Sequence, residues 1–235
     1  MLLTGPARNQ SPVLRYSILS QLYLRHLAEI RKKKRRDIRV IEIGSWVGAS
    51  TCIWSYIGQI SVNLGYLDSV EVIAIDPLEP YLGYIHREDH YKAMESALEQ
   101  KTVEQSFYDN IRKFAYAPNV RLVKLPSDEA LPHFASKSVD ILYVDGSHFY
   151  ENVKRDLIHS KRICKNGGLL ICDDVEKLKV DDYELHLQAL SKRIDYLNGY
   201  HPGVTQAVKD VFPFSGTSDI SGMYAKKKYS FFFEL

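Results

Sequence analysis

Short apolar runs alternate with longer amphipathic stretches along the chain. The apolar runs are continuous and bounded by polar or glycine-rich residues, a pattern typical of buried strands. They predict strands at about 39–43, 71–75, 120–124, 139–144 and 169–172. The stretches between them predict helices at about 107–114, 128–134, 150–164 and 183–196. Apolar strands that alternate with helices indicate an α/β fold: a mostly parallel sheet with helices on both faces.

Three further segments complete this architecture. Ser11 and Pro12 suit a helix N-cap and first turn, so we expect an N-terminal helical segment over 11–36. The polar, tyrosine-rich stretch 77–101 has no strand pattern and could form a lid. The β-prone patches in 222–235 predict a hairpin and an antiparallel C-terminal edge of the sheet. The length of 235 residues fits a single α/β domain over 1–235.

Composition limits the class of protein. Cys52, Cys164 and Cys172 form no CxxC pair, which fits a reducing compartment. Residues 1–10 lack the apolar core of a signal peptide, and no apolar run approaches the roughly 20 residues of a membrane span. We therefore expect a cytoplasmic protein without a membrane partner. The sequence leaves the oligomeric state open, and a homo-oligomer is compatible with it.

Every residue from 31 to 36 is basic. Such a run can be a nucleic-acid patch or the solvated end of a helix, where cations complement the helix dipole. The net charge of the whole chain is only +2, so the rest of the chain is not basic. We favour the helix end and expect no nucleic-acid partner.

A glycine turn joins the first predicted strand to an apolar helix. The run EIGSWVGAS extends from Glu42 to Ser50, with glycines at Gly44 and Gly48. Glycines let backbone amides approach a ligand, and a helix N-terminus attracts anionic or polar groups. The spacing is G-x-x-x-G, and the acid that ends the second strand, Asp76, lies further along than a dinucleotide fingerprint requires. An ordinary strand-to-helix turn is the alternative.

Two predicted strands end in carboxylates. Asp145 follows the strand at 139–144, and Asp173 with Asp174 follow the strand at 169–172. Neighbouring parallel strands lie about 4.8 Å apart and bind ligands beyond their carboxyl ends. Three carboxylates in one small volume repel each other, which calls for a cation or a raised pKa. Oxygen ligands favour Mg²⁺, with Ca²⁺ or Mn²⁺ also compatible. Helix capping by one or two of these aspartates is the alternative.

His148 follows Asp145 by three residues, near the start of the next predicted helix. Its reference pKa of about 6.5 suits a general base at neutral pH. The neighbouring carboxylates and the position at a strand end favour catalysis. A structural histidine is the alternative.

Taken together, these motifs resemble class I S-adenosylmethionine (SAM) methyltransferases, which have a Rossmann-like sheet. The runs VDGSHFYENVKRD and NGGLLICDDV are similar to the macrocin O-methyltransferase group, with catechol O-methyltransferase more distant. The resemblance covers roughly 38–212. In that family the glycine turn holds the methionine part of SAM, the acid after the second strand holds the ribose, and a pair after the third strand lies against the adenine.

The resemblance implies a set of site residues. Those expected to bind SAM are Glu42, Gly44, Ser45, Gly48, Ser50, Asp76, Ser127 and Asp128. The expected metal ligands are Asp145, Asp173 and Asp174, and the expected catalytic residues are His148 and Asp145. Asp173 departs from the family, because the macrolide sugar enzymes tend to have Glu there.

The expected function is therefore SAM-dependent and divalent-metal-dependent O-methylation of a small-molecule hydroxyl, on a sugar, a glycoside or another diol. An NAD(P)-linked oxidoreductase is one alternative, but the glycine spacing disfavours it and it gives the three aspartates no role. A degenerate SAM-fold protein that binds a partner is another, but carboxylates or hydroxyls stand at the mapped positions.

Overall fold

The computed structural model describes residues 13–32, 35–80, 89–175, 180–212 and 231–234; the side chains of 13–16, 89–91 and 231–234 are not described. The described residues form two compact units. Unit 1 extends to Val40 and resumes over Ser45–Leu125, and unit 2 contains Ile41–Gly44 and the chain from Pro126 onward. The predicted helix start at Ser11 and Pro12 lies outside the described residues, as do 81–88 of the predicted lid and most of the predicted C-terminal hairpin.

The described residues of unit 1 form four α-helices and part of the sheet. The helices are α1 (Val13–Lys32), α2 (Ala49–Asn63), α3 (Asp89–Glu99) and α4 (Thr102–Phe114), and the strands are β1 (Asp37–Ile43, whose last three residues belong to unit 2), β2 (Ser69–Ile75) and β3 (Val120–Val123). The ring of Trp54 meets Tyr23 edge-on at 5.8 Å between centroids, and both side chains are fully buried. This contact joins α2 to α1.

Unit 2 contains the carboxylate-bearing strands. Its helices are α5 (Ser127–Ala130), α6 (Tyr150–Ile163), α7 (Tyr183–Ser191) and α8 (Pro202–Val211), and its further strands are β4 (Val139–Val144), β5 (Cys164–Cys172) and β6 (Phe231–Glu234). Every residue of β4 is buried. Helix α8 packs on α6. Helices α3 and α8 were not predicted from the sequence, and the helix predicted over 183–196 is five residues too long at its end, because α7 ends at Ser191.

The strand order is β3-β2-β1 in unit 1 and β1-β4-β5-β6 in unit 2. Strands β2 and β3 are parallel, with Val72 opposite Val120. Strands β4 and β5 are parallel, with Val144 opposite Cys172, so their carboxyl ends are level. Strand β6 is antiparallel to β5. The predicted mostly parallel sheet with an antiparallel C-terminal edge is confirmed.

The strand predicted at 169–172 begins earlier in the structure, at Cys164, so Gly167 and Gly168 lie inside β5. Gly167 has a φ of +69°, and a Cβ on Gly168 would lie 2.6 Å from the sulfur of Cys164. The pairing with β4 shifts register between Val139 and Ile141. The glycines therefore mark a bulge within a longer strand, a common use of glycine in sheets.

Part of the basic run at the end of α1 has partners within unit 1. Arg36 forms an ion pair with Asp68 at 2.6 Å, and the guanidinium of Arg31 lies 4.4 Å from the centre of the Tyr66 ring. Lys32 pairs with Glu29 at 2.7 Å. These contacts favour the interpretation of the run as a helix end. Among the described residues, no helix is long and apolar enough to cross a membrane.

Candidate active site

The turn after β1 is held by the Asp76 carboxylate. One oxygen of Asp76 accepts a hydrogen bond from the backbone N–H of Trp46 at 2.8 Å, and the other accepts one from Leu78 at 2.8 Å. Burial raises the pKa of Asp76, and the hydrogen bonds from the backbone oppose that rise. The predicted ribose ligand therefore also fixes the turn, although a carboxylate has lone pairs left for a further partner.

The turn itself is strained and closes tightly. Trp46 has a φ of +50°, which is rare for a bulky residue and typical of functional turns. Gly48 caps α2 with a φ of +80°, and its N–H donates to the Ser45 carbonyl at 2.7 Å. A Cβ on Gly48 would lie 2.9 Å from the Phe107 ring, so the close neighbour of Gly48 is helix α4.

Two buried polar atoms of the turn suit a cofactor. The Ser45 hydroxyl and the Trp46 indole N–H are buried and have no hydrogen-bond partner in the described part of the chain. Such atoms are costly to leave unsatisfied, so a polar ligand at the turn would stabilise them. Ser50 lies in the first turn of α2 and is 8% exposed. These residues fit the polar methionine end of SAM.

Gly44 lies close to the backbone of Asp145 and Gly146 within unit 2. It has a φ of +82°, and a Cβ there would lie 2.1 Å from the carbonyl oxygen of Asp145 and 2.5 Å from the Cα of Gly146. The Asp145 N–H donates to the Ile43 carbonyl at 2.9 Å. No side chain fits at position 44 without displacing the Asp145 peptide. Glu42, on β1, is fully buried.

The two residues predicted to lie near the adenine contact helix α6. The Asp128 carboxylate accepts a hydrogen bond from Arg155 at 3.0 Å. Ser127 hydrogen-bonds to Asp156, which is 2% exposed. Burial raises the pKa of Asp156 to about 7, against the lowering effects of Ser127 and Arg155. Asp156 therefore fixes Ser127 at the start of α5.

This raised pKa predicts a pH-dependent stability. The folded protein keeps the Asp156 proton up to about pH 7, whereas an unfolded carboxyl with a pKa of 3.8 has released it. Its contribution to the free energy of unfolding therefore falls as the pH rises from about 4 to about 7. Asp156→Asn should lack this slope, so from pH 5 to pH 8 its free energy of unfolding should rise by about 2–3 kcal/mol relative to that of wild type. Urea unfolding of both proteins at pH 5 and at pH 8 measures this difference. Parallel pH profiles of the two proteins would contradict the prediction.

The predicted metal ligands come together at the carboxyl ends of β4 and β5. Ligand oxygens of Asp145, Asp173 and Asp174 all lie within 4.8 Å of one another. The Tyr143 hydroxyl lies 2.7 Å from one oxygen of Asp173 and 3.0 Å from one of Asp145. A hydroxyl has one proton, so it satisfies one carboxylate at a time. The remaining repulsion suits a hard divalent cation, and the all-oxygen donor set fits Mg²⁺.

His148 lies in the loop before α6, held between two carboxylates. Its Nε2 is 3.1 Å from an oxygen of Asp174, and its Nδ1 is 3.0 Å from an oxygen of Asp195. Burial lowers the pKa of His148, but its bonds to Asp174 and Asp195 outweigh that effect and hold the pKa well above 6.5. Asp174 itself has a φ of +56°, a conformation that aspartate tolerates better than most residues.

Three residues near the site were not predicted from the sequence. Tyr143 stands two positions before Asp145, and the two-residue period of a strand places both on one face. This alternation along the strand could have identified Tyr143 from the sequence. Asp195 and His201 come from the segment after α7, and the His201 ring lies 4.1 Å from the His148 ring. No local pattern marks these two, because only the packing of α8 brings them to His148.

More than half of the chain matches a known protein family. A family model described as "Methyltransferase domain" matches residues 41–175, more than half of the 235-residue chain. This chain belongs to the methyltransferase domain family. The match spans the glycine turn and all three aspartates, and it confirms the predicted SAM-dependent methyltransferase. No curated protein matches the chain.

Solved structures share the fold at low identity. The O-methyltransferase NovP is 16% identical with a TM-score of 0.59, covering 94% of this chain and 78% of NovP. CalS11, a TDP-rhamnose 3′-O-methyltransferase of calicheamicin biosynthesis, is 14% identical with a TM-score of 0.51, covering 94% and 78%. TomG from Streptomyces achromogenes, an O-methyltransferase of tomaymycin synthesis solved with SAM, is 15% identical with a TM-score of 0.50, covering 96% and 80%. The predicted class I methyltransferase fold is confirmed.

Proposed function

We propose that this methyltransferase transfers the SAM methyl group to a hydroxyl of a small molecule with the help of a divalent cation. The observation that carries the proposal is the carboxylate cluster of Asp145, Asp173 and Asp174, with His148 in contact with Asp174. Methyl transfer to oxygen needs a hydroxyl that loses its proton, and this cluster combines a place for a Lewis acid with a base.

SAM would bind at the glycine turn. The Ser45 hydroxyl and the Trp46 indole offer buried polar atoms, and Asp76 keeps the turn in shape. We also propose that Glu42, Gly44, Gly48, Ser50, Ser127 and Asp128 contribute to this site. The sulfonium already activates the methyl group, so the protein's task is to hold an oxygen in line behind it, a proximity effect of up to about 7–11 kcal/mol.

Asp145, Asp173 and Asp174 would hold the cation, most naturally Mg²⁺. A bound cation would lower the pKa of a hydroxyl that coordinates it. The Tyr143 hydroxyl lies within hydrogen-bond distance of Asp145 and Asp173 and helps to position whichever of the two carboxylates accepts its proton. His148 accepts the hydroxyl proton at Nε2. The Asp195 carboxylate at Nδ1 fixes the ring and favours the tautomer with its proton on Nδ1.

The acceptor is a compound with adjacent hydroxyls, such as a sugar, a glycoside or another diol. Two neighbouring hydroxyls could chelate the cation, which would select one of them for methylation. The activity of CalS11, a TDP-rhamnose 3′-O-methyltransferase, supports a sugar hydroxyl as the acceptor. We further propose one methyltransferase domain in a reducing, cytoplasmic setting, where Cys52, Cys164 and Cys172, none of which forms a disulfide, remain thiols.

Calorimetry with SAM and with NAD, each with and without Mg²⁺, tests the proposal together with a methyl-transfer screen of diols and glycosides. We expect SAM to bind, NAD not to bind, and methyl transfer to require Mg²⁺.

Gly48→Val should weaken SAM binding by tenfold or more, about 1.4 kcal/mol, because its side chain would strike Phe107 and disturb the turn. Binding of NAD instead of SAM, or unchanged SAM affinity in Gly48→Val, would contradict this placement of the cofactor.

A further inference from the structure

A second group of ligand atoms lies beside the carboxylate cluster. His148, Asp174 and His201 each offer one donor atom, and these atoms all lie within 4.8 Å of one another. The side chains of His148 and Asp174 are 18% and 21% exposed, and His201 is 5% exposed. The group shares Asp174 with the Asp145, Asp173 and Asp174 cluster but adds two imidazoles.

We propose that His148, Asp174 and His201 form a second metal site, which binds a transition-metal ion such as Zn²⁺. Two imidazoles and one carboxylate are a donor set that Zn²⁺ and related ions prefer, whereas Mg²⁺ prefers oxygen donors. The all-oxygen cluster and this mixed cluster therefore differ in the ion that each selects.

The surroundings of His148 support this metal site independently. A histidine that binds a metal usually donates its other ring N–H to a carboxylate, which fixes the tautomer and orients the ring. Asp195 lies 3.0 Å from His148 Nδ1 and fills this role, while Nε2 is directed at Asp174. The 3.1 Å between Nε2 and the Asp174 oxygen lets both atoms bind one ion at about 2.0–2.2 Å.

The position of His201 is built into the fold. His201 is the residue before α8, and its ring packs against His148 at 4.1 Å and Tyr196 at 4.8 Å. A Cβ on Gly203 would lie 2.2 Å from the His148 carbonyl oxygen, so only glycine allows the start of α8 to lie this close to the His148 loop. The two imidazoles are therefore held side by side by backbone contact.

A transition metal at this site would inhibit methyl transfer. It would occupy the Nε2 atom of the proposed base and an oxygen of Asp174, which the proposed Mg²⁺ site also needs. Zn²⁺ should then inhibit even at saturating Mg²⁺. This inhibition rests on the proposed function, whereas Zn²⁺ binding at the site does not.

Calorimetric titration with Zn²⁺ alone tests the site in the full chain. His201→Gln should weaken Zn²⁺ binding by about tenfold or more and leave Mg²⁺ binding within about twofold of wild type. Asp195→Asn should weaken Zn²⁺ binding by about 10–100-fold, through the tautomer. Asp145→Asn is the matched control, because it should weaken Mg²⁺ binding and leave Zn²⁺ binding within about twofold. His201→Phe keeps a ring between His148 and Tyr196 and separates loss of a ligand from loss of packing.

The outcomes separate the two proposals. Absence of Zn²⁺ binding, or Zn²⁺ binding that Asp145→Asn weakens and His201→Gln does not, would overturn the second site. In the turnover assay each variant is compared with its own zinc-free rate. The zinc concentration for half inhibition should rise tenfold or more in His201→Gln, and an unchanged value would overturn the inhibition. If wild type has no Mg²⁺-supported turnover, the proposed function fails, while the Zn²⁺ titrations still decide the site.

Discussion

Chelation of divalent cations with EDTA should abolish methyl transfer, and added Mg²⁺ should restore it. The reason is the convergence of Asp145, Asp173 and Asp174, whose oxygens lie within 4.8 Å of one another. Without a cation the three charges repel, and an acceptor hydroxyl lacks the Lewis acid that lowers its pKa. Asp145→Ala should be the most severe single change among the three, because Asp145 is on the strand that leads to His148.

SAM affinity is the control for this experiment. Asp145→Ala should leave SAM binding within about threefold of wild type, because the proposed cofactor contacts are elsewhere in the chain. Full activity in EDTA would exclude the metal role of the cluster. Equal loss of SAM and Mg²⁺ binding would instead show that Asp145 mainly supports the backbone around Gly44, which its carbonyl touches.

His148→Ala should slow the chemical step by about 10²–10⁴-fold while SAM and Mg²⁺ still bind. Burial lowers the pKa of His148, but its bonds to Asp174 and Asp195 outweigh burial and raise the pKa, which favours the protonated ring while Asp174 is charged. Neutralising the Asp174 charge with a bound cation would lower that pKa and free Nε2 to accept a proton. The activity of wild type should therefore rise with pH until the ring is deprotonated.

The pH dependence separates a base from a structural histidine. The deficit of His148→Ala should shrink at high pH, where a metal-bound hydroxyl ionises without help. His148→Gln is the matched variant, because it can hydrogen-bond to Asp174 but cannot accept a proton. A rate equal to wild type in either variant would assign proton removal to another group, and a deficit that is the same at every pH would indicate a positioning role.

The convergence of Asp145, Asp173 and Asp174 could be predicted from the sequence because their placement follows from local pattern. Strands β4 and β5 are buried runs joined by one helix, and each ends directly before a carboxylate. Parallel neighbours with level ends bring those carboxylates together without further information. Asp195 and His201 could not be predicted this way, because their contacts with His148 depend on how α7 and α8 pack in unit 2.

The glycine turn was predicted in position but not in physical detail. The sequence suggested that both glycines let backbone amides approach a ligand, whereas in the structure a Cβ at Gly48 would meet the Phe107 ring and a Cβ at Gly44 would meet backbone. Asp76 was predicted as a ribose ligand, and the structure adds its bonds to Trp46 and Leu78. Such contacts between distant segments have no signature in spacing alone.

The Cα of Gly44 packs directly against the peptide group of Asp145. Any side chain at position 44 would push the start of the carboxylate loop, because the Asp145 carbonyl oxygen would lie 2.1 Å from its Cβ. A Gly44 variant would consequently lose cofactor binding and cation binding together, so it could not show which of the two was disturbed first. Variants that separate the two functions should therefore be made at Ser45 or Gly48 for cofactor binding and at the side chains of Asp145 or Asp173 for cation binding.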